Sequence, residues 1–102
     1  MEQKTILQYL KELKPKYAKE GLIIEGLFGS YARDDANANS DIDILIHTEA
    51  KFTQLYGMRS IQRLNEIRQE LTNYFKTPVD LASSSGMSKT AKKFILDKAI
   101  YI

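Results

Sequence analysis

The sequence predicts a single domain of the α/β (α+β) class, in which a mixed β-sheet packs against helices. Three short apolar segments have the length of strands, at residues 22–28, 41–47 and 78–82. Two longer segments carry apolar residues at helical spacing. At 102 residues the chain can form one modest core and is too small for separate catalytic and substrate-binding domains, so the predicted domain spans residues 1–102.

The predicted helices lie before, between and after these strands. Thr5 and Gln8 have the spacing of a capping box, so the first helix is expected to begin at Thr5. Pro15 is expected to kink this helix or to start a second piece, and Gly21 to end it. A long helix is predicted over residues 53–74. Its apolar stripe consists of Leu55, Ile61, Leu64, Ile67, Leu71 and Phe75.

Residues near the C-terminus predict a loop, a helix and a final edge strand. The loop is Ser83-Ser84-Ser85-Gly86, Ser88 is the expected helix cap, and the strand covers residues 100–102. The helix carries Ala91, Phe94, Ile95 and Ala99.

Three aromatic side chains fit the apolar periodicity and are interpreted as core or rim residues instead of a base-stacking platform. They are Phe52, Tyr56 and Tyr74.

The composition is that of an ordinary globular protein. It is 43% hydrophobic and 27% charged, with a net charge of +2. No apolar run reaches the length needed to cross a bilayer, and no signal peptide is recognised. Because the chain has no cysteine, a disulfide framework is excluded and a cytoplasmic location is expected. Direct nucleic-acid binding is disfavoured, since aromatic and basic residues do not alternate on one strand face.

A glycine and a serine follow the first predicted strand. Gly29 has no Cβ, so the backbone can approach a ligand closely, and Ser30 supplies a hydroxyl and a helix-start amide. This turn is therefore predicted to hold phosphate oxygens. Arg33 either pairs with a nearby carboxylate and holds the turn of Ser30, or reaches a phosphate.

Two aspartates begin the second predicted strand. The two-residue repeat of a strand puts Asp41 and Asp43 on one face and the apolar residues on the other. Two neighbouring carboxylates repel each other, so the arrangement is costly unless a cation lies between them. Oxygen ligands favour a hard cation such as Mg²⁺, and with no cysteine and one histidine a closed Cys/His zinc site is excluded.

A third aspartate lies in the third predicted strand. The alternation of Val79, Asp80 and Leu81 puts the carboxylate on the opposite face from the two apolar residues. If this strand is next to the second, Asp80 joins the other two aspartates. His47 has no partner at a ligand spacing and is interpreted as a strand-end residue without a catalytic role.

The pattern of Gly29-Ser30, Asp41-Ile42-Asp43 and Asp80 resembles the nucleotidyltransferases of the DNA polymerase β superfamily. Their signature is Gly-Ser, about ten residues, Asp-x-Asp, then a later Asp on an adjacent strand. The resemblance is closer to the minimal nucleotidyltransferases, the MntA antitoxins encoded beside HEPN-domain toxins, because it covers almost the whole chain. One departure is Asp34, where many members have glycine.

The resemblance implies a nucleotidyltransferase fold and a Mg-dependent reaction with ATP as substrate. Asp41 and Asp43 would bridge two Mg²⁺ ions roughly 4 Å apart. Asp80 would complete the second metal site and accept the proton of the attacking hydroxyl. Gly29, Ser30 and Arg33 would bind the nucleotide phosphates. The family's known reaction implies transfer of AMP to a tyrosine of a HEPN toxin, which would form a hetero-oligomer with this chain.

Two alternatives remain open. The chain could transfer a nucleotide to a small-molecule hydroxyl, although relatives that do so usually carry an additional helical domain. It could also neutralise the toxin by binding alone, with an inactive site. The presence of Ser30, Asp41, Asp43 and Asp80 favours catalysis over binding alone.

Overall fold

The structure, a computed structural model, describes residues 2–96 and 98–102, and the side chains of residues 86 and 94–96 are not included. Helices and strands alternate along most of the chain. The helices are α1 (Gln3–Ala18), α2 (Gly29–Arg33), α3 (Ala50–Tyr56), α4 (Ser60–Phe75) and α5 (Lys89–Leu96). The strands are β1 (Leu22–Phe28), β2 (Ile42–Thr48), β3 (Val79–Ser83) and β4 (Ile100–Tyr101). Short 3₁₀ turns cover Gly57–Arg59 and Ser84–Gly86.

The described strands form one mixed sheet in the order β3-β2-β1-β4. Strand β1 is antiparallel to both β2 and β4, whereas β2 and β3 are parallel. The predicted mixed sheet is therefore confirmed, and each predicted strand matches within one residue at either end. A bulge between Ile24 and Gly26 shifts the register of β1 against β2.

The main core fills the space between one face of the sheet and the helices α1 and α4. Ile42, Ile44 and Ile46 of β2 point into it, as their alternation predicts. Leu45 is also fully buried but does not belong to this cluster. The other core side chains include Ile6, Leu10, Tyr17, Leu22, Ile24, Leu27, Phe52, Ile67, Leu71, Phe75 and Val79. Burying each large apolar side chain contributes about 1.5–3 kcal/mol before the loss of chain entropy.

Helix α1 begins at Gln3 and not at Thr5, so the predicted capping box is wrong. The Gln3 Nε2 atom donates hydrogen bonds to the carbonyl oxygens of Tyr31 and Ala32, at 2.8 and 3.0 Å. These long-range contacts anchor the first turn, and local capping is not needed there. The N–H of Gly21 donates to the carbonyl of Ala18 at 3.0 Å, which closes the turn after the helix close to the predicted stop.

Pro15 lies inside α1, which continues to Ala18, so the predicted interruption is not found. A proline removes one helical hydrogen bond. The last turn is held by tertiary contacts instead. Tyr17 is buried and donates a hydrogen bond to Glu70 Oε1 at 2.9 Å, and Lys14 Nζ donates to the carbonyl of Ile102 at 2.8 Å.

The long helix predicted over residues 53–74 is divided into α3 and α4. The break lies at Gly57, where φ is 53° and ψ is −123°, a conformation that other residues rarely adopt. Two residues of the predicted stripe are consequently outside the core, because Leu55 is 57% exposed and Ile61 is 75% exposed. The remaining four of the stripe, from Leu64 onward, pack in or against the core as predicted.

The interpretation of the other aromatic residues is confirmed. Phe52 is fully buried, whereas Tyr74 is half exposed at the rim and contacts the ring of Tyr9 edge to face, with 5.5 Å between centroids. Ser88 caps α5, since its Oγ accepts a hydrogen bond from the N–H of Ala91 at 3.1 Å. Helix α5 ends at Leu96, so Ala99 lies after the helix and not in it as predicted. The side chains of Phe94 and Ile95 lie outside the described part of the structure. No helix in the described part of the chain is both long and apolar enough to span a membrane.

Arg63 is the centre of a partly buried polar network between α1, α3 and α4. Its Nε donates to Glu20 Oε1 at 2.7 Å, and one Nη donates to Glu20 Oε2 at 2.8 Å. The other Nη donates to Glu70 Oε2 at 2.8 Å. Tyr56 also donates to Glu20. The hydrogen bond from Arg63 is the main cause that lowers the pKa of Glu20.

We expect Arg63→Ala to lower the free energy of unfolding by about 2 kcal/mol at pH 7, because it leaves two partly buried carboxylates unpaired. The pKa of Glu20 is lowered in the folded protein, so its ionised form stabilises the fold at pH values above the pKa of the unfolded chain. The difference in stability between the wild type and Arg63→Ala should therefore shrink as the pH falls below about 4. Urea unfolding across that pH range measures it. Arg59→Ala removes an exposed arginine and should cost under about 0.5 kcal/mol; equal losses in both variants would contradict the assignment.

Candidate active site

Three segments that are distant in sequence meet at one end of the sheet. The end of β1 pairs with the start of β2, with Phe28 opposite Asp43, and the start of β3 pairs with β2, with Asp80 opposite Asp43. Neighbouring strands lie about 4.8 Å apart. The structure therefore brings Asp43 and Asp80 side by side on adjacent strands, as expected if the second and third strands are neighbours.

Asp41 lies immediately before β2 and not inside it. The first ladder bond of β2 runs from the N–H of Ile42 to the carbonyl of Pro78, at 2.9 Å. Asp41 precedes that bond and is exposed to solvent. Its predicted place on the strand is thus displaced by one residue, although its charge still acts on Asp43.

Asp43 is the half-buried member of the three aspartates. Its pKa is raised, first because burial penalises the charged carboxylate, and then because Asp80 and Asp41 are negatively charged. The positive charge of Arg33 acts in the opposite direction and does not cancel these effects. The three carboxylates therefore share one electrostatic environment, and a cation placed among them would relieve their repulsion.

Gly29 lies directly against Asp43. Its φ is 74°, and a Cβ built on it would be 2.1 Å from Asp43 Oδ2. Any side chain at this position would displace the carboxylate, in addition to the strain of a positive φ. The absence of a side chain thus lets the first residue of α2 approach Asp43 closely. Ser30 follows as the second residue of this helix.

The loop after α2 explains the one departure from the family pattern. Asp34 has a φ of 62° and a ψ of 32°, the left-handed conformation in which glycine is favoured and which aspartate adopts more readily than most residues. The carbonyl of Ser30 accepts a hydrogen bond from the N–H of Asp35 at 3.0 Å. The turn therefore keeps its path without glycine.

Arg33 makes the first of the two contacts considered for it. Its Nε lies 3.2 Å from Asp35 Oδ2, in an ion pair exposed to solvent. Such a pair contributes little to stability. Its effect on the site is electrostatic, because its charge opposes the rise in the pKa of Asp43.

His47 takes part in a polar cluster that the sequence did not reveal. Its Nδ1 lies 3.6 Å from Glu25 Oε1, and Ser84 Oγ donates to the same carboxylate oxygen at 2.9 Å. Glu25 is the residue at the bulge of β1. A bulge interrupts the alternation on which strand prediction depends, so no sequence signal indicated this contact.

A cavity of about 770 Å³ lies beside α2, and it is separate from the three aspartates. Its lining residues are Glu2, Gln3, Lys4, Tyr31, Asp34, Ala36, Asn37, Ala38 and Thr77. Asp41 and Asp80 are exposed to solvent, and Asp43 is half-buried. The carboxylates of Asp41 and Asp80 can therefore be reached from outside the protein.

The chemistry of the aspartates suits a hard divalent cation, since all the candidate ligand atoms are carboxylate oxygens. Among residues 2–96 and 98–102, however, no three acidic or histidine side chains are close enough to hold an ion as they stand. The strand register brings the ligand types together, and closing them around an ion would require the side chains to turn.

The comparisons with known proteins decide the family. The family model described as "Nucleotidyltransferase domain" matches residues 4–102. The chain belongs to this family. The predicted nucleotidyltransferase membership is thereby confirmed.

Similar proteins cover nearly the same length. Over 101 residues the chain is 37% identical to "Putative protein adenylyltransferase MJ0126" of Methanocaldococcus jannaschii, covering 97% of this chain and 93% of the relative. Over 92 residues it is 28% identical to "Protein adenylyltransferase MntA" of Thermococcus cleftensis, covering 90% and 83%. The chain is thus similar to adenylyltransferases along almost its whole length.

Two solved structures have the same fold. "Structure of putative minimal nucleotidyltransferase" aligns with a TM-score of 0.75 and 26% identity, over 100% of this chain and 97% of the other. "Crystal structure of the toxin-antitoxin with AMP-PNP" aligns with a TM-score of 0.60 and 21% identity, over 99% and 72%. These matches confirm the predicted nucleotidyltransferase fold.

We expect Gly29→Ala to weaken binding of Mg–ATP at least tenfold, because the new Cβ would displace the Asp43 carboxylate. Gly57→Ala is the matched control, since Gly57 also has a positive φ of 53° but a Cβ there would meet no atom within 4 Å. Both variants should lose about 1–2 kcal/mol of stability from the positive φ, and Gly29→Ala should lose more because of the clash with Asp43. Isothermal titration calorimetry measures the binding, and equal affinity in the two variants would contradict the proposed role of the contact.

Asp43→Asn should be more stable than the wild type at neutral pH when no divalent cation is present. A carboxylate whose folded-state pKa is raised destabilises the folded protein once it ionises, so the advantage should vanish as the pH falls below about 4. Adding Mg²⁺ should raise the melting temperature of the wild type more than that of the variant. Thermal melts with and without Mg²⁺ test both points; an identical Mg²⁺ response would count against a cation at Asp43.

Proposed function

We propose that this chain transfers AMP from ATP to a tyrosine of a partner protein, and that the partner is a HEPN-domain toxin which the modification inactivates. The observation that carries the proposal is the register pairing of Asp43 with Asp80 beside the Gly29 turn. The similarity to proteins named adenylyltransferases supports the reaction type. The family resemblance supports the toxin as acceptor, and a cytoplasmic site of action within one domain belongs to the same proposal.

Asp41, Asp43 and Asp80 are proposed to hold two Mg²⁺ ions, for which their oxygen ligands are suited. When bound, Mg²⁺ would neutralise the charge of the triphosphate and lower the pKa of the attacking hydroxyl. The raised pKa of Asp43 supports this assignment, because the protein tolerates mutual repulsion here. Functional sites often keep such unfavourable interactions.

The remaining roles follow from the position of each residue around the aspartates. Gly29 and Ser30 are proposed to bind the phosphates that leave as pyrophosphate, since the Gly29 backbone lies against Asp43 and Ser30 is the next residue of α2. Arg33 is proposed to assist them electrostatically. Asp80 is exposed, so an incoming hydroxyl can reach its carboxylate, and it is proposed to accept the proton of that hydroxyl.

A protein acceptor suits the shape of this site. Small-molecule substrates usually bind in concave pockets that cover most of their surface. Asp41 and Asp80 are exposed, and the cavity beside α2 is lined by none of the three aspartates, so we propose that the acceptor is held on the outer surface. A protein can supply the remaining contacts from its own surface, which favours it over a small-molecule hydroxyl.

We expect the protein encoded next to this one to gain one or more AMP units when incubated with this chain, ATP and Mg²⁺. Intact mass spectrometry measures the gain, and fragmentation identifies the modified residue. Asp41→Asn or Asp43→Asn should reduce the transfer rate at least 100-fold while the fold is retained. Transfer at an undiminished rate in both variants would exclude the proposed site.

Neutralisation of the toxin in growing cells separates catalysis from binding alone. We expect the Asp41→Asn and Asp43→Asn variants to lose neutralisation although they still bind the toxin. Full neutralisation by variants that transfer no AMP would instead establish an antitoxin that acts by contact. Arg59→Ala, an exposed change at the opposite end of the sheet, is the control that should neutralise like the wild type.

A further inference from the structure

The outer edge of β3 is next to the proposed reaction centre. Across the end of the sheet, the Gly29 turn lies on one side of Asp43, and Asp80 lies on the other. In a phosphoryl-type transfer the attacking and leaving oxygens lie roughly in line. If pyrophosphate leaves on the side of Gly29, the acceptor hydroxyl must approach from the side of β3.

Strand β3 is an edge strand in the described sheet, paired only with β2. The N–H of Ile42 donates to the carbonyl of Pro78, which fixes the alternation of the parallel ladder. The main-chain groups of Asp80 and Ala82 consequently face β2. Those of Val79, Leu81 and Ser83 face away from the sheet.

Only some of the outward-facing main-chain groups of β3 have a hydrogen-bond partner among the described residues. The N–H of Val79 donates to Thr72 Oγ1 at 3.1 Å, so the beginning of the edge is closed by α4. The N–H and the carbonyl of Leu81 face outward, where no described strand pairs with them. Exposed edges are commonly blocked by charged side chains, especially lysine, by proline or by a bulge. The interior of β3, from Asp80 to Ala82, contains no lysine, proline or bulge, and its one charged residue is Asp80 of the proposed site.

We propose that the acceptor protein binds as an added strand along the outer edge of β3, with its main chain paired to Leu81. Strand addition supplies affinity through main-chain hydrogen bonds and specificity through alternate side chains. The residue of the added strand opposite Asp80 shares a face with it at about 5 Å between Cβ atoms. A hydroxyl residue at that position would therefore be beside the carboxylate proposed to take its proton.

The occupant is an extended segment of a protein, since neither a nucleic acid nor a small metabolite offers a peptide main chain. This inference rests on the proposed function.

The direct test is amide hydrogen exchange at Leu81. The Asp41→Asn variant is mixed with the protein encoded next to this one, so that the complex forms without modification. We expect exchange of the Leu81 N–H to slow at least tenfold in the complex, with little change for the N–H of Tyr101. Binding without slower exchange at Leu81 would overturn strand addition.

Leu81→Pro supplies an independent test. It removes the outward N–H while leaving the ladder to β2 intact, because the main chain of Leu81 does not bond to β2. We expect the affinity for the neighbouring protein to fall at least tenfold, and Leu81→Ala, which keeps the N–H, to bind nearly as the wild type does.

The opposite edge of the sheet offers a matched proline control. The N–H of Ile102 donates to the carbonyl of Glu25, so the N–H of Tyr101 faces outward from β4. Tyr101→Pro should therefore leave binding unchanged. Equal losses at both edges, with unchanged melting temperatures, would overturn the proposal.

The two proposals fail in different ways. Slower exchange at Leu81 without any AMP transfer would retain the docking edge and reject the adenylyltransferase reaction. AMP transfer by the wild type and Leu81→Pro at equal rates would retain the reaction and reject the docking edge. If the neighbouring protein neither binds nor is modified, both proposals are rejected.

Discussion

The close approach of the Gly29 backbone to the Asp43 carboxylate is the constraint on which the site depends. It requires a positive φ and the absence of a Cβ at one residue, and it fixes how α2 leaves β1. Because β1 is antiparallel to β2 and β2 is parallel to β3, the end of β1 and the starts of β2 and β3 meet where this contact forms. The position of the aspartates follows from the sheet, and the sheet is stabilised mainly by the apolar residues on the other face.

The three aspartates place repulsive charges in a small domain, at a cost to its stability. Burial and neighbouring charge both act against ionisation of Asp43, and a domain of this size has only a few kcal/mol of stability in reserve. The Arg63 network counteracts this at a distance, by connecting α1, α3 and α4 through charged hydrogen bonds. The repulsive cluster lies at the starts of β2 and β3, whereas the attractive network lies between the helices.

Local periodicity predicted most of the sheet. The features it did not predict depend on contacts between residues distant in sequence or on single irregular positions. The alternation of Ile42, Asp43 and Ile44 predicted both a strand and the face of its carboxylate, because these depend only on the geometry of an extended chain. The start of α1 depends on Gln3 reaching carbonyls 28 and 29 residues away, which no local pattern contains. The bulge at Glu25 interrupts the two-residue alternation of β1. The break at Gly57 interrupts the helical spacing of the apolar residues in the segment predicted as one long helix. The roles assigned to Gly29, Ser30, Arg33 and the aspartates stay predictions.

The segment around the break at Gly57 also affects how readily the protein associates with itself. Leu55, Met58 and Ile61 lie on either side of the break, in the segment that follows β2, and are 57%, 103% and 75% exposed. Apolar side chains exposed together promote self-association as protein concentration rises. Because this segment contains none of the three aspartates, we expect substitutions here to change solubility without changing the proposed site.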